Sequence, residues 1–293
     1  MNWETKVTEF LVRRLGKPVK ILMSSAVSGG SINLAYRLET TAGLFFVKIN
    51  DAFIYPEMFP KEAMGLKVLF DADEIPVPEV MGSGQNGNQA FLVLKFIESA
   101  SKGVKFWEDF GQRLAALHKH SQSKFGFSHD NYIGSLYQSN KEHDSWDAFF
   151  VEERLKPQIK MAFNNGKIDR EDLKAFELFE ERINEIFPNE PPALLHGDLW
   201  SGNFMVNEKG DAVLVDPAVY YGHREMDLGM SKLFGGFHPQ FYEAYNEAYP
   251  LQPGWQQRLD YCNLYPLLVH VNLFGRSYLG EIKSILGNFT RNN

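Results

Sequence analysis

The chain has a single cysteine, Cys262. One thiol excludes any internal disulfide framework and fits a reducing compartment. Positive charge is also scarce. Thirty Lys and Arg stand against 37 Asp and Glu, a formal net charge of −7, so no basic field covers the protein as nucleic-acid binding would require. Long apolar runs are missing too. The longest nearly apolar stretch, "LYPLLVHVNLFG" at 264–275, is too short to span a bilayer and contains His270 and Asn272. The opening "MNWETKVTEFLVRRLG" alternates apolar and charged residues and lacks the apolar core of a secretory signal. No internal repeat or low-complexity tract interrupts the chain. These absences set the expectation of a soluble cytoplasmic protein with neither nucleic acid nor membrane as a partner.

What is present is ordinary globular material. Of 293 residues, 44% are hydrophobic, enough for one large domain or two modest ones. Val7, Phe10, Leu11 and Leu15 form the stripe of an amphipathic helix ending near Gly16. Strand patterns follow near 20–27, 32–39 and 44–49, then a helix over 56–72, then "PEVMGS" and "AFLVLKFI" joined by the hairpin signal "GQNGN". After "ESASKG" at 98–103 the patterning turns helical, over 105–120, 146–165 and 169–187, and again from 225 onward. Two short strands interrupt that region, one around "LLHGDLWSGNFMV" and one in "DAVLVDPA". The reading is an α+β, bilobal chain. Residues 1–98 form an antiparallel sheet with one inserted helix, residues 99–293 form a mainly helical lobe, and the two are expected to meet along a cleft.

The chemistry concentrates at 194–216. Asp198 is followed five positions later by Asn203, and Asp216 closes the apolar run "AVLV". Two carboxylates and an amide beside short strands are oxygen ligands that suit Mg²⁺. "HGDLWSGN" keeps the His, Asp and Asn spacing of the protein-kinase catalytic loop H-R-D-x-x-x-x-N, and "DPA" stands where D-F-G would be. In that chemistry one Asp accepts the proton of the attacking hydroxyl, while the Asn and the second Asp hold metal against the phosphates. As a bare turn, the same residues would only cap and bend the backbone.

Kinase chemistry makes further demands on the first lobe. It needs backbone amides in a glycine loop, and "VSGGSIN" at 27–33 supplies Gly29, Gly30 and Ser31 between two strands. It needs a lysine on a following strand, and Lys48 is the sole charge in "LFFVKIN". It needs a helical acid to pair with that lysine. Glu62 is favoured and Glu57 competes.

Together "FFVKIN", "FLVLKFI", "LLHGDLWSGN", "DPAVYYGHREMDLGM", "LFGGF" and "YPLLVHVNLFG" resemble the fructosamine kinase (ketosamine-3-kinase) family, a branch of the protein-kinase-like fold related to aminoglycoside and choline phosphotransferases. The resemblance spans most of the chain. It implies transfer of the ATP γ-phosphate to a sugar hydroxyl, O-3, of a ketosamine or glycated amine, a deglycation activity. By that resemblance Asp198 is the catalytic base, and Asn203 and Asp216 are Mg²⁺ ligands. Lys48 contacts the ATP phosphates with Glu62 orienting it. The backbone of Leu94, Lys95, Phe96 and Ile97 forms the adenine hinge.

Other residues keep two readings. Trp200 either covers a sugar face or packs beneath the loop. His223 and Glu225 either touch substrate or order the segment after the metal-binding Asp. His270, with Asn272, either lines the acceptor pocket or belongs to the core. His196 is assigned to ordering the loop, and Asp227 to bracing it, with helix N-capping as the alternative. Some family members carry a cysteine in the glycine loop. Here Ser28 and Ser31 stand there, so a monomer without a disulfide-linked dimer is expected. Pro217 and Ala218 after Asp216 leave no phenylalanine for an in/out switch. The competing functions are an aminoglycoside- or choline-type small-molecule kinase and a nucleotide-binding pseudokinase.

Overall fold

The computed structural model describes residues 3–27 and 32–291, which fall into two compact units. The first comprises residues 1–106 together with 204–217, and the second 107–203 together with 218–293.

The first unit is built on a five-stranded antiparallel sheet. Its strands are β1 (Ile21–Ala26), β2 (Leu34–Thr40), β3 (Gly43–Asp51), β4 (Val80–Asn86) and β5 (Gln89–Lys95), in the order β1-β2-β3-β5-β4. Helix α1 (Trp3–Leu15) buries Val7 and Leu11, one turn apart, in a core with Leu38, Phe45, Val47, Ile49, Met81, Phe91 and Val93. Strand alternation then does two things on β3. Phe45, Val47 and Ile49 enter that core, and Lys48 is turned to the opposite face. Helix α2 (Met58–Ala72) buries Met58, Gly65, Leu66 and Leu69, and Glu62 lies on the same stripe, four residues from both Met58 and Leu66.

The sequence places the lobe boundary at 98, and the structure moves it. Residues 99–106 and a hairpin from further along the chain, β9 (Phe204–Val206) with β10 (Ala212–Leu214), belong to the sheet unit. Backbone hydrogen bonds explain why. Ala100 N–H donates to Val206 O at 3.0 Å, Gly103 N–H to Gly210 O at 3.1 Å, and Leu214 N–H to Pro76 O at 2.9 Å. Gly210 has a φ of 81°, and a Cβ there would come within 2.8 Å of the Gly103 nitrogen, so the two backbones meet where a side chain has no room.

The second unit is mainly helical. It contains α3 (Phe106–Leu117, all but its first residue), the hairpin β6 (Asn131–Ile133) and β7 (Leu136–Gln138), α4 (Trp146–Phe149), α5 (Lys156–Asn164) and α6 (Arg170–Glu181). It continues through β8 (Ala193–Leu195), β11 (Tyr220–Gly222), α7 (Glu225–Lys232), α8 (Pro239–Ala248), α9 (Trp255–Cys262), α10 (Leu264–Phe274) and α11 (Leu279–Arg291). The helix expected over 146–165 is present, but its middle, Phe150–Leu155, is π-helical. The apolar run at 264–275 is α10, a core helix buried on nearly every side. Among the described residues, no helix is long and apolar enough to cross a membrane. Strands β8 and β11 pair antiparallel, Leu195 opposite Tyr220, and hold the two ends of the loop region that carries the candidate chemistry.

Candidate active site

In the second unit, β8 delivers the chain into His196-Gly197-Asp198. The Asp227 carboxylate receives this turn: Oδ2 accepts the His196 N–H at 2.8 Å and Oδ1 the Gly197 N–H at 2.9 Å. His118 Nε2 lies 3.3 Å from Oδ2, and its Nδ1 is 2.8 Å from the Tyr245 hydroxyl. Burial alone would raise the Asp227 carboxyl. The hydrogen bond and charge of His118, with the loop amides, outweigh burial and hold it below the ordinary aspartate range. Asp227 therefore acts as a fixed anionic clamp. It is the third residue of α7 rather than its cap, which removes the N-capping alternative.

The loop is tight. Gly197 has a φ of 83°, and a Cβ there would sit 2.1 Å from the Ala218 carbonyl oxygen. His196 is fully buried, and its Nδ1 accepts the Asp198 N–H at 3.2 Å, in keeping with an ordering role. Leu199 is buried and anchors the loop. Asn203 donates its side-chain amide to the Asp198 carbonyl and to Asp198 Oδ2, both at 2.9 Å. Both bonds use the Asn203 amide nitrogen and do not engage its amide oxygen.

In the first unit, the Lys48 ammonium bridges two carboxylates, Glu62 Oε1 at 2.7 Å and Asp216 Oδ1 at 2.6 Å. Burial would push the Lys48 ammonium down. The two carboxylates outweigh burial and hold it above its ordinary value. For Glu62, burial is the largest influence and raises the carboxyl, with Lys48 opposing. Glu57 precedes α2 with a φ of 58° and is exposed, so the acid that meets Lys48 is Glu62. Asp216 is 51% exposed at its side chain and has a φ of 54° immediately before Pro217. An L-residue before proline seldom adopts this left-handed geometry, and such strain costs about 1–3 kcal/mol. It is paid at the residue whose carboxylate must be aimed.

Two expectations for the nucleotide are limited by the structure. Gly29, Gly30 and Ser31 lie outside the described residues. Of the four hinge residues, Lys95 already donates its amide to Glu79 O at 2.9 Å and Phe96 donates to Leu44 O at 3.2 Å. Ile97, beyond the end of β5, makes no hydrogen bond among the described residues. Leu94 is buried in β5 between Phe46 and Val80.

The residues considered for the acceptor divide into two groups. Trp200 and His270 are brought into one aromatic cluster. The Trp200 ring stands edge-on to Phe234 at 5.8 Å, Phe234 lies 4.7 Å from the His270 ring, and His270 lies 5.0 Å from Tyr278. Phe234 is 40% exposed with a φ of 55°, and sequence reasoning gave it no role although it sits in the quoted "LFGGF". His270 is partly buried, its Nδ1 2.7 Å from the Pro266 carbonyl, and burial lowers its pKa, so it is neutral near pH 7.

His223 and Glu225 do not join them. Both are fully buried. Glu225 is held by both arms of Arg258, at 2.6 and 2.8 Å, and the His223 ring packs between Trp146 and Phe187. Arg224, between them in sequence, grips Glu190 with two hydrogen bonds of 2.6 and 2.7 Å. Neither residue offers surface to a substrate, so the expectation of substrate contact is corrected to the ordering role. The cause is the following helix: α7 is buried all round, and its first turn carries this charged segment inward.

Burial also fixes the protonation of His223, whose pKa falls from 6.5 to about 4. The sign follows directly. Between pH 4 and 6.5 the unfolded chain binds a proton that the folded chain excludes, so stability is full above pH 6.5 and is lost as pH falls through this window. The expected loss is on the order of 3 kcal/mol. Urea unfolding across pH 4–7 measures the slope, and a His223 ring resonance titrating above pH 6 by NMR would contradict the assignment.

With this geometry in place, comparison with known proteins is direct. The fructosamine kinase family model matches residues 3–292. The chain belongs to the fructosamine kinase family. Among its relatives, the probable ketoamine kinase of Enterococcus faecium is 40% identical over 265 residues, 90% of this chain and 94% of that protein. The chloroplastic protein-ribulosamine 3-kinase of Oryza sativa subsp. indica is 40% identical over 288 residues, 94% of this chain and 81% of that protein. A crystal structure from Thermobifida fusca, provisionally named a fructosamine-3-kinase, superposes with a TM-score of 0.87 at 33% identity and covers 97% of this chain and 98% of that one. An aminoglycoside phosphotransferase, APH(4)-Ia, matches with a TM-score of 0.59 at 15% identity, covering 97% of this chain and 98% of that one, which speaks to the fold alone. The α+β fold of this fructosamine kinase family member is thus the protein-kinase-like one expected from its sequence.

Proposed function

We propose that this protein transfers the γ-phosphate of ATP to a sugar hydroxyl, O-3, of a ketosamine such as a fructosamine or ribulosamine adduct. The observation that carries the reading is Asp198. Its carboxylate is oriented by Asn203, on a loop clamped by Asp227, in a chain of the fructosamine kinase family. Both curated relatives described above are named as ketoamine or ribulosamine kinases.

The Asp198 carboxylate accepts the proton of the acceptor hydroxyl as that oxygen bonds to the γ-phosphorus and the bond to the ADP leaving oxygen breaks. The transfer state is loose, so the proton can leave late and a modest carboxylate base suffices. Most of the rate comes from positioning and charge neutralisation. Lys48 supplies a buried, fixed ammonium for the phosphate oxygens, and Glu62 keeps it in place. By family resemblance Asn203 and Asp216 are the proposed magnesium ligands, and an amide oxygen and a carboxylate are each the kind of oxygen donor that magnesium takes. Asn203 has its amide oxygen spare, and Asp216 is half exposed with one oxygen already on Lys48. When bound, magnesium would neutralise charge on the transferring phosphate. Trp200, with Phe234 and His270 beside it, is assigned to the face of the acceptor sugar.

The protein is assigned to the cytoplasm as a monomer. Cys262 is buried, which leaves no thiol for a disulfide-linked dimer. The sequence carries Lys48, Asp198, Asn203 and Asp216, the lysine, base and metal ligands that turnover would use, which argues against a pseudokinase.

ADP release over a panel of ketosamines, aminoglycosides, choline and free sugars tests the reading. Turnover is expected with the ketosamines. Trp200→Ala is expected to raise the ketosamine KM by about tenfold, the loss of roughly 1.4 kcal/mol of ring contact, with the ATP KM unchanged. Preference for choline or an aminoglycoside would overturn the proposed acceptor.

A further inference from the structure

Arg154 lies in the π-helical stretch between α4 and α5 and is fully buried. π-Helical turns are rare and recur at functional sites. Its guanidinium donates from Nη1 to the Ser139 carbonyl at 2.5 Å and from Nη2 to Asn140 Oδ1 at 2.6 Å. It stacks over the rings of Tyr220, Phe149 and Tyr265, with the guanidinium carbon 4.0, 4.5 and 5.4 Å from their centroids. Among the described residues it makes no ion pair, and its Nε has no hydrogen-bond partner. A buried cation without a carboxylate is expensive, and well-packed apolar residues often replace buried charges with no loss of stability. Stability alone therefore gives a poor reason for an arginine here.

The hydrogen bonds leading away from Arg154 give a better one. Asn140 Nδ2 donates to Asn131 Oδ1 at 3.0 Å, and Gln138 Nε2 donates to the same oxygen at 2.7 Å. Asn131 Nδ2 then donates to the Val219 carbonyl at 2.8 Å, and Gln138 Nε2 reaches the Ala218 carbonyl at 3.2 Å. The Tyr265 hydroxyl donates to Gln138 Oε1 at 2.6 Å, which fixes the amide's orientation. Every side chain in this chain of bonds is buried. Its end points are the two residues that follow Asp216-Pro217 in sequence.

From there the path to the catalytic loop is short. Ala218 N–H donates to the His196 carbonyl at 2.9 Å, and the Ala218 carbonyl presses on Gly197, where not even a Cβ would fit. Residue 218 cannot shift without moving 196–198. Burial raises the Tyr265 phenol most, Arg154 opposes that and Asp198 adds to it, so both charges act on the ring that anchors Gln138.

We infer that Arg154 is a positioning residue for phosphoryl transfer, acting through Asn140, Asn131 and Gln138 on the backbone of Ala218 and Val219 and, through them, on the loop that carries Asp198. The inference rests on the assignment of Asp198 as the base.

Two variants break the chain of bonds at different points. Arg154→Met removes the cation, and Gln138→Met removes the amide without changing charge, so the test stands even if the first is recovered unfolded. In both, kcat with a ketosamine is expected to fall 10- to 100-fold while the ATP KM stays within twofold. Hydrogen exchange of the Ala218 amide is expected to quicken at least tenfold. A general loss of fold would instead move both KM values and exchange throughout the second unit. Wild-type kcat, or wild-type exchange at Ala218, in either folded variant would overturn the inference. If the wild-type protein released no ADP with any ketosamine, the functional reading would fall, and the Ala218 exchange would still decide whether the network holds the loop.

Discussion

Asp198→Asn is expected to lower kcat by about 10²–10⁴-fold with ATP affinity within twofold of wild type. The substitution is nearly isosteric. An asparagine oxygen at 198 can still accept from Asn203, and the loop remains clamped by Asp227 through backbone amides that the change does not touch. What is removed is the capacity to take a proton from the acceptor hydroxyl. In the proposed reading, Lys48 and Asp216 hold the nucleotide, and both belong to the other unit, so isothermal titration with Mg·ATP should read as wild type. Full turnover by Asp198→Asn would mean that another group is the base. Lost ATP binding would mean that the residue holds the nucleotide instead.

Lys48→Met carries the second large effect, in two measurements. kcat/KM for ATP should fall by about 10²–10³-fold, the scale of losing one preorganised donor to developing phosphate charge. Stability should fall as well, because Glu62 and Asp216 lose the ammonium between them. For a fully buried pair that loss is ~3–5 kcal/mol. Here it should be nearer ~2 kcal/mol, since Asp216 is half exposed and Glu62 can take up a proton. That proton gives the loss a pH signature. Burial already places the Glu62 carboxyl above its ordinary value, and without Lys48 it rises further. Above the unfolded pKa the folded variant then binds more protons than the unfolded chain, so its stability declines as pH rises. Urea unfolding at pH 5 and pH 8 should show the larger deficit at pH 8. An equal deficit at both would contradict the buried pairing.

The sequence carries these two residues at different levels of clarity. Asp198, Asn203 and Asp216 stand out in the sequence because their spacing matches that of one piece of chemistry. Lys48 is legible because a single charge in an apolar strand must face somewhere specific, and strand alternation turns it away from Val47 and Ile49. Glu62 is favoured over Glu57 in sequence, and the structure agrees: Glu62 meets Lys48, while Glu57 sits in a left-handed turn before α2 begins.

The failures share a cause. His223 and Glu225 stand beside the site in sequence, but α7 turns inward, and the partner that neutralises Glu225 is Arg258, 33 residues away. The hairpin Phe204–Pro217 joins the sheet unit through backbone bonds to 76, 100 and 103, which leave no trace in composition. The β6–β7 hairpin, with three-residue strands, is too short for a period-2 pattern, so Asn131 and Gln138 passed without notice. Phe234, in "LFGGF", shows no role in sequence because only the fold sets it between Trp200 and His270. Contacts between residues distant in sequence are the common element, and no local pattern encodes them.

The proposed reaction of this site is phosphorylation of a ketosamine on O-3 with Asp198 as base. Its most direct test is ¹H–³¹P correlation NMR of the product formed from a ribulosamine or fructosamine adduct with Mg·ATP. The account requires a single phosphomonoester whose phosphorus couples to the proton on sugar C-3, absent when Asp198→Asn replaces the wild-type protein. Phosphate at another position, or ADP released with inorganic phosphate and no phosphosugar, would contradict it.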